Sequence, residues 1–291
     1  MPKGISLHVG INSADSDAFP TVAHLVGCEN DARAMHELAG LQHFSKRVLL
    51  LGPEATYDRV KMEINAASAE LKAGDIFLFT FAGHGSGKFD SSHDETDNQD
   101  ETILLFDRML LDDVLEGDFW VNFESGVRVL MIADSCHSGT VSFLLAALTR
   151  ARQTELLLTG DFEMSATTDV EVMTADFAQA RTISEAARDQ HLEAFGDFYE
   201  KVLEALPSPA PPIKAGVLLL AACGDKETTA DGDPHGAFTQ ALLDVWNGGN
   251  FAGTYKDFVT EISGKFPGQA QHPALTFIGQ SDFSDERPFI I

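Results

Sequence analysis

Two reactive side chains stand directly after strand-like segments of this 291-residue chain. His84 follows an apolar run in the sequence FAGHGS, and Cys136 follows another in the sequence DSCHSG. The carboxyl ends of parallel strands meet at one edge of a sheet, which is where ligands bind. If the two strands are neighbours, the thiol and the imidazole face each other across one crevice. Such a pair is the minimal set of side chains for covalent acyl transfer, so the sequence predicts a cysteine nucleophile assisted by a histidine.

Each of these residues also has a purely structural interpretation. His84 alone is equally well explained as a loop histidine between turn glycines, and a free cysteine such as Cys136 is commonly a core residue. Their occurrence together, each in a polar and glycine-rich context at a strand end, favours the catalytic interpretation. His137 is adjacent to Cys136, and because neighbouring side chains diverge it is not expected to act as the base.

Alternating apolar segments predict the scaffold that positions these residues. Continuous apolar runs indicate buried strands, and apolar residues at helical spacing indicate helices. Buried strands separated by helices imply right-handed crossovers and a mostly parallel sheet. The predicted strands are 5–11, 47–51, 75–81, 127–133 and 216–222, and the predicted helices are 29–39, 56–71 and 184–205.

Two stretches interrupt this alternation. Residues 88–101 are polar and acidic, which predicts a surface loop. Residues 150–214 contain no buried-strand run, and a connection of roughly 65 residues exceeds the usual loop length. Because strand-like sequence resumes at Val217, the pattern favours a single domain over residues 1–291 that carries an insertion.

Four motifs in order give the chain a resemblance to a known family. They are GCENDA at 27–32, FAGHGS around His84, DSCHSG around Cys136, and a last segment at 222–239 that contains ACGD, TTAD and GAFT. The chain resembles the caspase-like cysteine peptidases, specifically the metacaspase and prokaryotic orthocaspase branch, over about residues 4–145 and 214–279. The separation of 52 residues between histidine and cysteine is close to the spacing of about 50 in caspases.

The resemblance implies a fold and a division of the chain. The fold is caspase-like α/β, a roughly six-stranded and mostly parallel sheet with helices on both faces in a three-layer α/β/α arrangement. Residues 4–149 correspond to the large-subunit-like part, 150–214 to an inserted linker, and 215–291 to the small-subunit-like part.

The resemblance also implies how the catalytic residues act. Cys136 attacks the scissile carbonyl as a thiolate, and His84 protonates the leaving amine. The backbone N–H groups of Gly85 and Cys136 are the expected oxyanion-hole donors, by similarity to caspases. An oxyanion-hole donor is typically worth ~2.7–4 kcal/mol in the transition state.

Two carboxylates predict the specificity. Asp31 and Asp134 match the positions that line the primary pocket in metacaspases. Cys28 lies near that pocket by similarity, but a small core residue is its favoured interpretation. Paired carboxylates select a cation, with Arg favoured over Lys by bidentate geometry. Asp31 has an alternative interpretation as a first-turn helix residue favoured by the helix dipole. Ala82 stands where the family often has Ser, so one pocket hydroxyl is missing.

Calcium is a further property that the resemblance raises, since many metacaspases are activated by Ca²⁺. The candidate ligands are the acidic residues of the loop and of the next element, namely Asp97, Asp100, Glu101, Asp112 and Asp113. Their oxygen atoms are suited to Ca²⁺, but a further acidic ligand of the family falls on Phe143 here. The incomplete set favours an enzyme that requires no cofactor and has no obligatory calcium.

Four linker arginines are candidate self-processing sites if the enzyme cleaves after Arg: Arg150, Arg152, Arg181 and Arg188. For any one of them, an ordinary surface charge is the favoured interpretation. The histidines other than His84 and His137 lack metal-ligand spacing and are expected to be surface or incidental residues.

Composition limits the partners. The chain has 20 basic and 45 acidic residues, a net charge of −25, which argues against nucleic acid or an anionic membrane as partner. No run approaches the roughly 18 apolar residues of a membrane span, and the amino terminus has no signal-peptide pattern, so a cytoplasmic protein is expected. Three cysteines, Cys28, Cys136 and Cys223, exclude a disulfide framework.

The expected partners are protein or peptide substrates with Arg or Lys at the cleavage site, together with an upstream activator. The enzyme is expected to be a monomer. Two alternatives stay open: a non-catalytic caspase-fold scaffold, and a CHAT- or separase-like protease of different specificity.

Overall fold

The computed structural model describes residues 2–87, 101–135, 180–224, 227–266 and 271–291. Within these ranges six strands form the main sheet: β1 (Gly4–Gly10), β2 (Lys46–Leu51), β3 (Ile76–Ala82), β7 (Arg128–Asp134), β8 (Gly216–Ala221) and β9 (Ala274–Gly279). Their spatial order is β2-β1-β3-β7-β8-β9. Every neighbouring pair is parallel except β8 and β9, which are antiparallel.

The central strands form because their residues are apolar on both faces. All seven positions of β1 and of β3 are buried, as expected for parallel strands covered by helices on each side. β3 and β7 are direct neighbours with Ala82 opposite Asp134. The strand that leads to His84 and the strand that leads to Cys136 therefore end side by side.

Helices cover both faces of the sheet. Residues of α2 (Tyr57–Glu70) and α4 (Glu185–Glu204) pack on one face with Phe77, Phe79 and Val129. The opposite face packs against α1 (Cys28–Leu41), α5 (Ala237–Trp246) and α6 (Tyr255–Ser263). The three-layer α/β/α architecture predicted from the sequence is confirmed.

Two helices have a side-chain cap at the residue where the sequence predicts that they begin. The hydroxyl of Thr56 accepts the N–H of Arg59 at 3.4 Å, and the hydroxyl of Ser184 accepts the N–H of Ala187 at 3.2 Å. Such caps satisfy backbone donors that have no partner inside the helix. Both helices begin one residue after the polar residue that caps them.

A second, small antiparallel sheet begins just beyond the carboxyl end of β3. It consists of β4 (Gly85–Gly87), β5 (Glu101–Leu104) and β6 (Met109–Leu111), in that order. The short helix α3 (Asp112–Val114) follows β6. Because β4 starts one residue after His84, this sheet fixes the backbone on the carboxyl side of that histidine.

The carboxyl-terminal half of the predicted linker packs into the core. Ala187 and Tyr199 of α4 are buried against the main sheet. His191 of the same helix is also buried, and its ring nitrogens lie 2.9 Å from the Ala18 carbonyl oxygen and 2.7 Å from the Tyr199 hydroxyl. Helix α4 is therefore fixed to the sheet.

The structure corrects the expectation that the remaining histidines are surface or incidental residues. His191 is one exception and His8 in β1 is a second; a third, His235, lies 2.9 Å from the carboxylate of Asp31. His8 is fully buried, and its ring nitrogens lie 2.8 Å from the Thr80 hydroxyl and 2.9 Å from the Ser6 hydroxyl. These hydroxyl partners explain how a polar ring is accommodated inside the sheet, because a buried polar group is costly only when it is left without a hydrogen bond. None of the described helices is both long and apolar enough to cross a membrane.

Candidate active site

Strand β1 and helix α1 build the first wall of the site. The end of β1 and the first residue of α1 lie so close together that a Cβ atom on Gly10 would be 2.5 Å from the carbonyl oxygen of Cys28. The side chain of Asn12, just beyond the strand, accepts the N–H of Glu29 at 3.1 Å and donates to the Val26 carbonyl at 3.2 Å. The start of α1 is thereby fixed over the end of β1, and Asp31 lies in its first turn.

Three buried carboxylates converge beyond the strand ends. Asp31 comes from α1, Asp134 is the last residue of β7, and Asp231 lies in the loop before α5. All three are at most 4 % exposed. The structure thus brings together the two acidic residues singled out from the sequence, and it adds a third that the sequence analysis did not select.

Asp134 is held by side chains from the last third of the chain. Its carboxylate accepts the hydroxyl of Thr239 at 2.6 Å, the backbone N–H of the same residue at 3.2 Å, and the hydroxyl of Thr229 at 3.2 Å. Hydrogen bonds to a charged group are among the stronger ones in proteins. They fix the orientation of the carboxylate relative to the end of β7.

Asp231 joins the loop before α5 to the turn before α1. Its carboxylate accepts the N–H of Val26 at 2.6 Å and the N–H of Gly27 at 3.1 Å. The sulfur of Cys28 is 3.9 Å from the same carboxylate. Burial raises the pKa of Cys28 well above its ordinary value. Cys28 therefore stays a neutral thiol behind the carboxylates, which is unsuited to a nucleophile.

A guanidinium from the linker fills the space between the three carboxylates. In Arg181, Nη2 is 2.5 Å from Asp31 and 3.0 Å from Asp231, while Nη1 is 2.8 Å from Asp134. The side chain is 0 % exposed. The expectation that any single linker arginine is an ordinary surface charge is wrong for Arg181, because three negative charges repay the cost of burying its positive charge.

The close contact of three carboxylates with one guanidinium shifts the pKa values of the residues in this cluster. Burial, and after it Asp134, raise the pKa of Asp31 to about 6, although Arg181 and His235 act to lower it. His235 Nδ1 is 2.9 Å from the Asp31 carboxylate. For Arg181 burial works against the charge, but Asp134 and the other acids raise its pKa well above the ordinary value. The cluster therefore retains a cation firmly.

His84 lies immediately beside the cluster with its tautomer defined. Its Nε2 is 2.7 Å from the carbonyl oxygen of Ala23, an acceptor, so Nε2 carries the proton. Nδ1 is buried and makes no hydrogen bond with any described residue. Burial lowers the pKa of His84, and the backbone carbonyl of Ala23 and the backbone of Thr182 act in the opposite direction. A neutral imidazole with a free Nδ1 lone pair is a competent proton acceptor.

The backbone of Arg181 is paired on both sides. Its N–H donates to the carbonyl of Thr229 at 3.2 Å, and its carbonyl accepts the N–H of Gly85 at 2.9 Å. Gly85 in turn accepts the N–H of Ile183 at 3.2 Å. Gly85 is the residue selected from the sequence as an oxyanion-hole donor, and here its N–H contacts the carbonyl of an arginine.

Several predicted site residues lie outside the described residues. These are the nucleophile Cys136, the calcium candidates Asp97 and Asp100, and the linker residues Arg150 and Arg152. The structure does place Ser135, which directly precedes Cys136, in a fully buried position at the end of β7.

Two calcium candidates can be located. Asp112 is buried at the start of α3, where it accepts the N–H of Asp113 at 2.8 Å. Neither residue belongs to a group of three or more side chains suited to holding a metal ion within the part of the chain that the structure describes. The arrangement of this pair is that of a helix start.

The sequence contained a signal for the third carboxylate. Asp231 closes the sequence TTAD, and Thr229 stands in the same motif, within the last segment of the family resemblance. The resemblance located this segment without indicating which of its side chains turns inward. Thr239 stands in the sequence GAFT, and from the first turn of α5 its N–H donates to the carboxylate of Asp134.

A comparison with protein families decides what this arrangement belongs to. Residues 11–283 match the caspase domain. The chain belongs to the caspase-domain family. The match contains every residue of the site, since it runs from Ile11, directly after β1, to Phe283, just beyond β9.

The similar proteins include metacaspases and a bacterial protein of known structure. Metacaspase-1 of Arabidopsis thaliana is 35 % identical over 144 residues, which cover 44 % of this chain and 39 % of the relative. Metacaspase-2 of the same plant is 32 % identical over 42 % of this chain and 32 % of its own length. The matches thus span well under half of these curated relatives. A crystal structure of a protein from Geobacter sulfurreducens covers 100 % of this caspase-domain chain and 99 % of its own, with 32 % identity and a TM-score of 0.79.

Proposed function

We propose that this caspase-domain protein is a cysteine endopeptidase that cleaves polypeptides after Arg, and less well after Lys. The observation that supports this most directly is the seat of Arg181. A guanidinium is surrounded by three carboxylates, and the carbonyl of the same residue is hydrogen-bonded to Gly85 at 2.9 Å. An arginine of a substrate, placed in the same way, would present its carbonyl carbon to the residue that follows Ser135.

The carboxylates account for the proposed preference for Arg over Lys. The two terminal nitrogens of Arg181 contact different acids, Nη1 with Asp134 and Nη2 with both Asp31 and Asp231. A lysine ends in one ammonium group and cannot reach all three positions at once, since only the guanidinium presents a planar fork of donors. An acidic side chain would be repelled by the same carboxylates.

The proposed reaction uses Cys136 and His84. The Cys136 thiol gives its proton to Nδ1 of His84, and the resulting thiolate attacks the scissile carbonyl carbon. The oxyanion is held by the N–H of Gly85 and by the N–H of Cys136. His84, fixed through Nε2 by the Ala23 carbonyl, then passes the proton from Nδ1 to the amine as the C–N bond breaks. Water then hydrolyses the thioester and restores the thiol. Proton transfer by a positioned side chain typically contributes ~10²–10⁴-fold to the rate.

A matched peptide panel tests the proposal. Four substrates that differ only in having Arg, Lys, Gln or Asp before an aminomethylcoumarin group are incubated with the wild type and with Cys136→Ala. We expect hydrolysis of the Arg substrate, slower hydrolysis of the Lys substrate, and none after Gln or Asp. The Cys136→Ala variant should be inactive on all four. Turnover of the Asp substrate in preference to Arg would overturn the specificity.

The same panel separates the enzyme from a non-catalytic scaffold. A scaffold predicts that the wild type and Cys136→Ala behave identically on every substrate. A CHAT- or separase-like protease of different specificity predicts activity that depends on Cys136 but is absent from all four peptides, and is seen only with longer protein substrates. The buried carboxylate cluster favours the Arg-specific reading, because a scaffold has no need for a cation site at the end of β7.

Self-processing in the linker is part of the proposal. Of the two linker arginines that the structure describes, Arg181 lies in the carboxylate cluster, whereas Arg188 lies in α4 and pairs with Asp189 at 2.7 Å. Arg181 is therefore the preferred site. Intact mass after incubation tests this: fragments that end at residue 181 should appear for the wild type and not for Cys136→Ala.

We further propose that turnover requires no bound calcium. The test is an activity titration with a chelator, followed by addition of Ca²⁺. Unchanged hydrolysis of the Arg substrate is expected, and loss of activity that Ca²⁺ restores would contradict it. The proposal also includes a monomeric enzyme in the cytoplasm that awaits an upstream activator.

A further inference from the structure

The short segment that carries Arg181 is bound by the rest of the chain in the manner of a ligand. Its Ala180 forms an antiparallel bridge with Ala230, and its Thr182 forms a parallel bridge with Gly85. The N–H and the carbonyl of Arg181 are both hydrogen-bonded, to Thr229 and Gly85. Extended segments held between two backbone edges in this way are a common mode of peptide recognition.

The pocket has no room for a second guanidinium while Arg181 is in place. All three carboxylates contact its two terminal nitrogens at 2.5–3.0 Å. On the remaining side, a Cβ atom on Gly236 would lie only 2.4 Å from Nη2. A peptide with Arg at its cleavage site must therefore displace Arg181 before it can bind.

The segment is also anchored directly behind the pocket. The N–H of Ile183 donates to Gly85, and its side chain is buried in the core. Ser184 then caps α4, whose residues Ala187 and Tyr199 are buried. A tethered ligand competes at an effective concentration in the millimolar range for a short connection, so a free peptide is at a disadvantage.

We propose that residues 180–183 are a built-in pseudosubstrate, and that the uncleaved chain is closed to arginine peptides until this segment is displaced. The inference rests on the proposed function, because it takes the carboxylate cluster as the pocket for the substrate arginine. It adds that the first occupant of that pocket is the chain itself. Activation then consists of removing Arg181 from between Asp31, Asp134 and Asp231.

The opposing interpretation is a permanent ion cluster that only stabilises the fold. Under it, the guanidinium would be a structural part of the core, and no external ligand would enter its place. The two interpretations differ in what happens when Arg181 is shortened. A pocket accepts a guanidinium from solution, whereas a structural cluster simply loses a partner and collapses.

The test uses chemical complementation in protein that cannot cleave itself. Cys136→Ala is compared with Cys136→Ala/Arg181→Ala and with the matched control Cys136→Ala/Arg188→Ala. Each is melted with and without butylguanidine, and with butylurea as the uncharged ligand of the same shape. We expect butylguanidine to raise the melting temperature of the Arg181→Ala protein and to leave the other two unchanged. Butylurea should have no effect, since it carries no charge for the acids.

Calorimetric titration gives the same comparison as an affinity. The proposal predicts that butylguanidine binds the Arg181→Ala protein at least tenfold more tightly than the protein that retains Arg181. Equal binding to both would mean that the pocket is already open, and no binding to a folded Arg181→Ala protein would mean that the cluster is structural. Either result overturns the proposal.

A second variant covers the case in which Arg181→Ala does not fold. Cys136→Ala/Arg181→Lys keeps a positive charge in the cluster but lacks the forked donors, so butylguanidine should displace it and bind with intermediate affinity. Failure to bind there would overturn the proposal as well. None of these measurements requires turnover, so they stay separate from the peptide panel, which alone decides whether the protein is a peptidase.

Discussion

The backbone N–H of Gly85 lies 2.9 Å from the carbonyl oxygen of Arg181 and donates to it. This contact joins two parts of the chain that the sequence suggests for different reasons, a loop glycine beside a histidine and an arginine in a long connection. The side chain of the same arginine is held by acids from three other elements. The backbone of Arg181 therefore marks where the scissile carbonyl of a substrate would lie, and its side chain marks where a substrate arginine would meet the three acids.

Gly236 limits the size of the pocket, and Gly236→Ala is expected to close it. The backbone of Gly236, with φ of −62° and ψ of 155°, is accessible to alanine. The added methyl carbon would lie 2.4 Å from Arg181 Nη2 and 2.6 Å from Cζ, so a guanidinium must move away. In the Cys136→Ala/Arg181→Ala background, the affinity for butylguanidine measured by calorimetry should fall at least roughly tenfold, equivalent to about 1.4 kcal/mol.

A second glycine gives the control for that experiment. Gly196 lies inside α4, and a Cβ atom there would meet nothing within 4 Å. Gly196→Ala should leave ligand binding unchanged and stabilise the protein by ~0.5–1 kcal/mol, because glycine weakens a helix interior. Unchanged affinity in Gly236→Ala would show that the guanidinium binds elsewhere.

The parts of this structure that follow from the sequence are those decided by local pattern. The continuous apolar runs of β1, β3, β7 and β8 specify buried parallel strands, and their bounds agree with the predicted ones to within a residue or two. Thr56 and Ser184 were identifiable as helix starts because a cap acts within one turn. Asp31 and Asp134 were selected through the resemblance, because they match the positions that line the primary pocket in metacaspases.

The parts that did not follow depend on contacts between distant segments. Arg181 is buried only because acids about 50 to 150 positions away neutralise it, and no property of residues near it in sequence signals that. Asp231 lies in a loop, where neither a helical nor a strand period indicates which side chain faces inward. His8 fits a strand of apolar residues only through the hydroxyls of Ser6 and Thr80.

Asp231 is expected to contribute to arginine binding rather than to the chemical step. Its carboxylate is 3.0 Å from Arg181 Nη2, and it acts on His84 only through its charge, as one of the smaller contributions to the pKa of that ring. In an Arg181→Ala background, where the pocket is free, Asp231→Asn should raise KM for the Arg substrate roughly 10- to 100-fold and change kcat little. The reason is that a hydrogen bond to a charged group is worth about 1.5–3 kcal/mol, and uniform binding affects KM alone.

Steady-state kinetics with a surface control check this assignment. Asp244 in α5 is exposed and contacts Gln240 at 2.9 Å, so Asp244→Asn should leave both constants unchanged. A large fall in kcat with constant KM for Asp231→Asn would instead mean that this acid interacts with the transition state and contributes to the chemical step.

Asp31 should make arginine binding dependent on pH. Burial and the neighbouring Asp134 raise its pKa to about 6 while Arg181 is present to lower it. Without Arg181 the pKa of Asp31 lies higher, and a proton competes with the guanidinium for the acid, so affinity should be highest at pH 8 and fall as the pH decreases towards 6. Titration of the Arg181→Ala protein with butylguanidine from pH 8 to pH 5 measures this.

Two variants assign the pH effect to its source. Asp31→Asn removes the titrating group and should give weak binding that hardly changes between pH 8 and pH 5. His235→Gln keeps an N–H donor near Asp31, whose carboxylate is 2.9 Å from His235 Nδ1, and should retain the pH dependence. If the dependence disappears with His235→Gln and persists with Asp31→Asn, the assignment is wrong.

The buried histidine of β1 should make the fold sensitive to acid. Burial lowers the pKa of His8 to about 3, and His36 and Arg47 contribute in the same direction. The unfolded chain takes up a proton on this residue near pH 6.5, whereas the folded chain does so only near pH 3. The free energy of unfolding should therefore fall as the pH decreases below 6.5, by up to about 1.4 kcal/mol per pH unit from this residue.

Urea denaturation at constant ionic strength from pH 7 to pH 4.5 measures that slope. His8→Gln should reduce it, whereas His24→Gln, at an exposed position, should reproduce the wild-type slope, and equal slopes in all three proteins would contradict the role of His8.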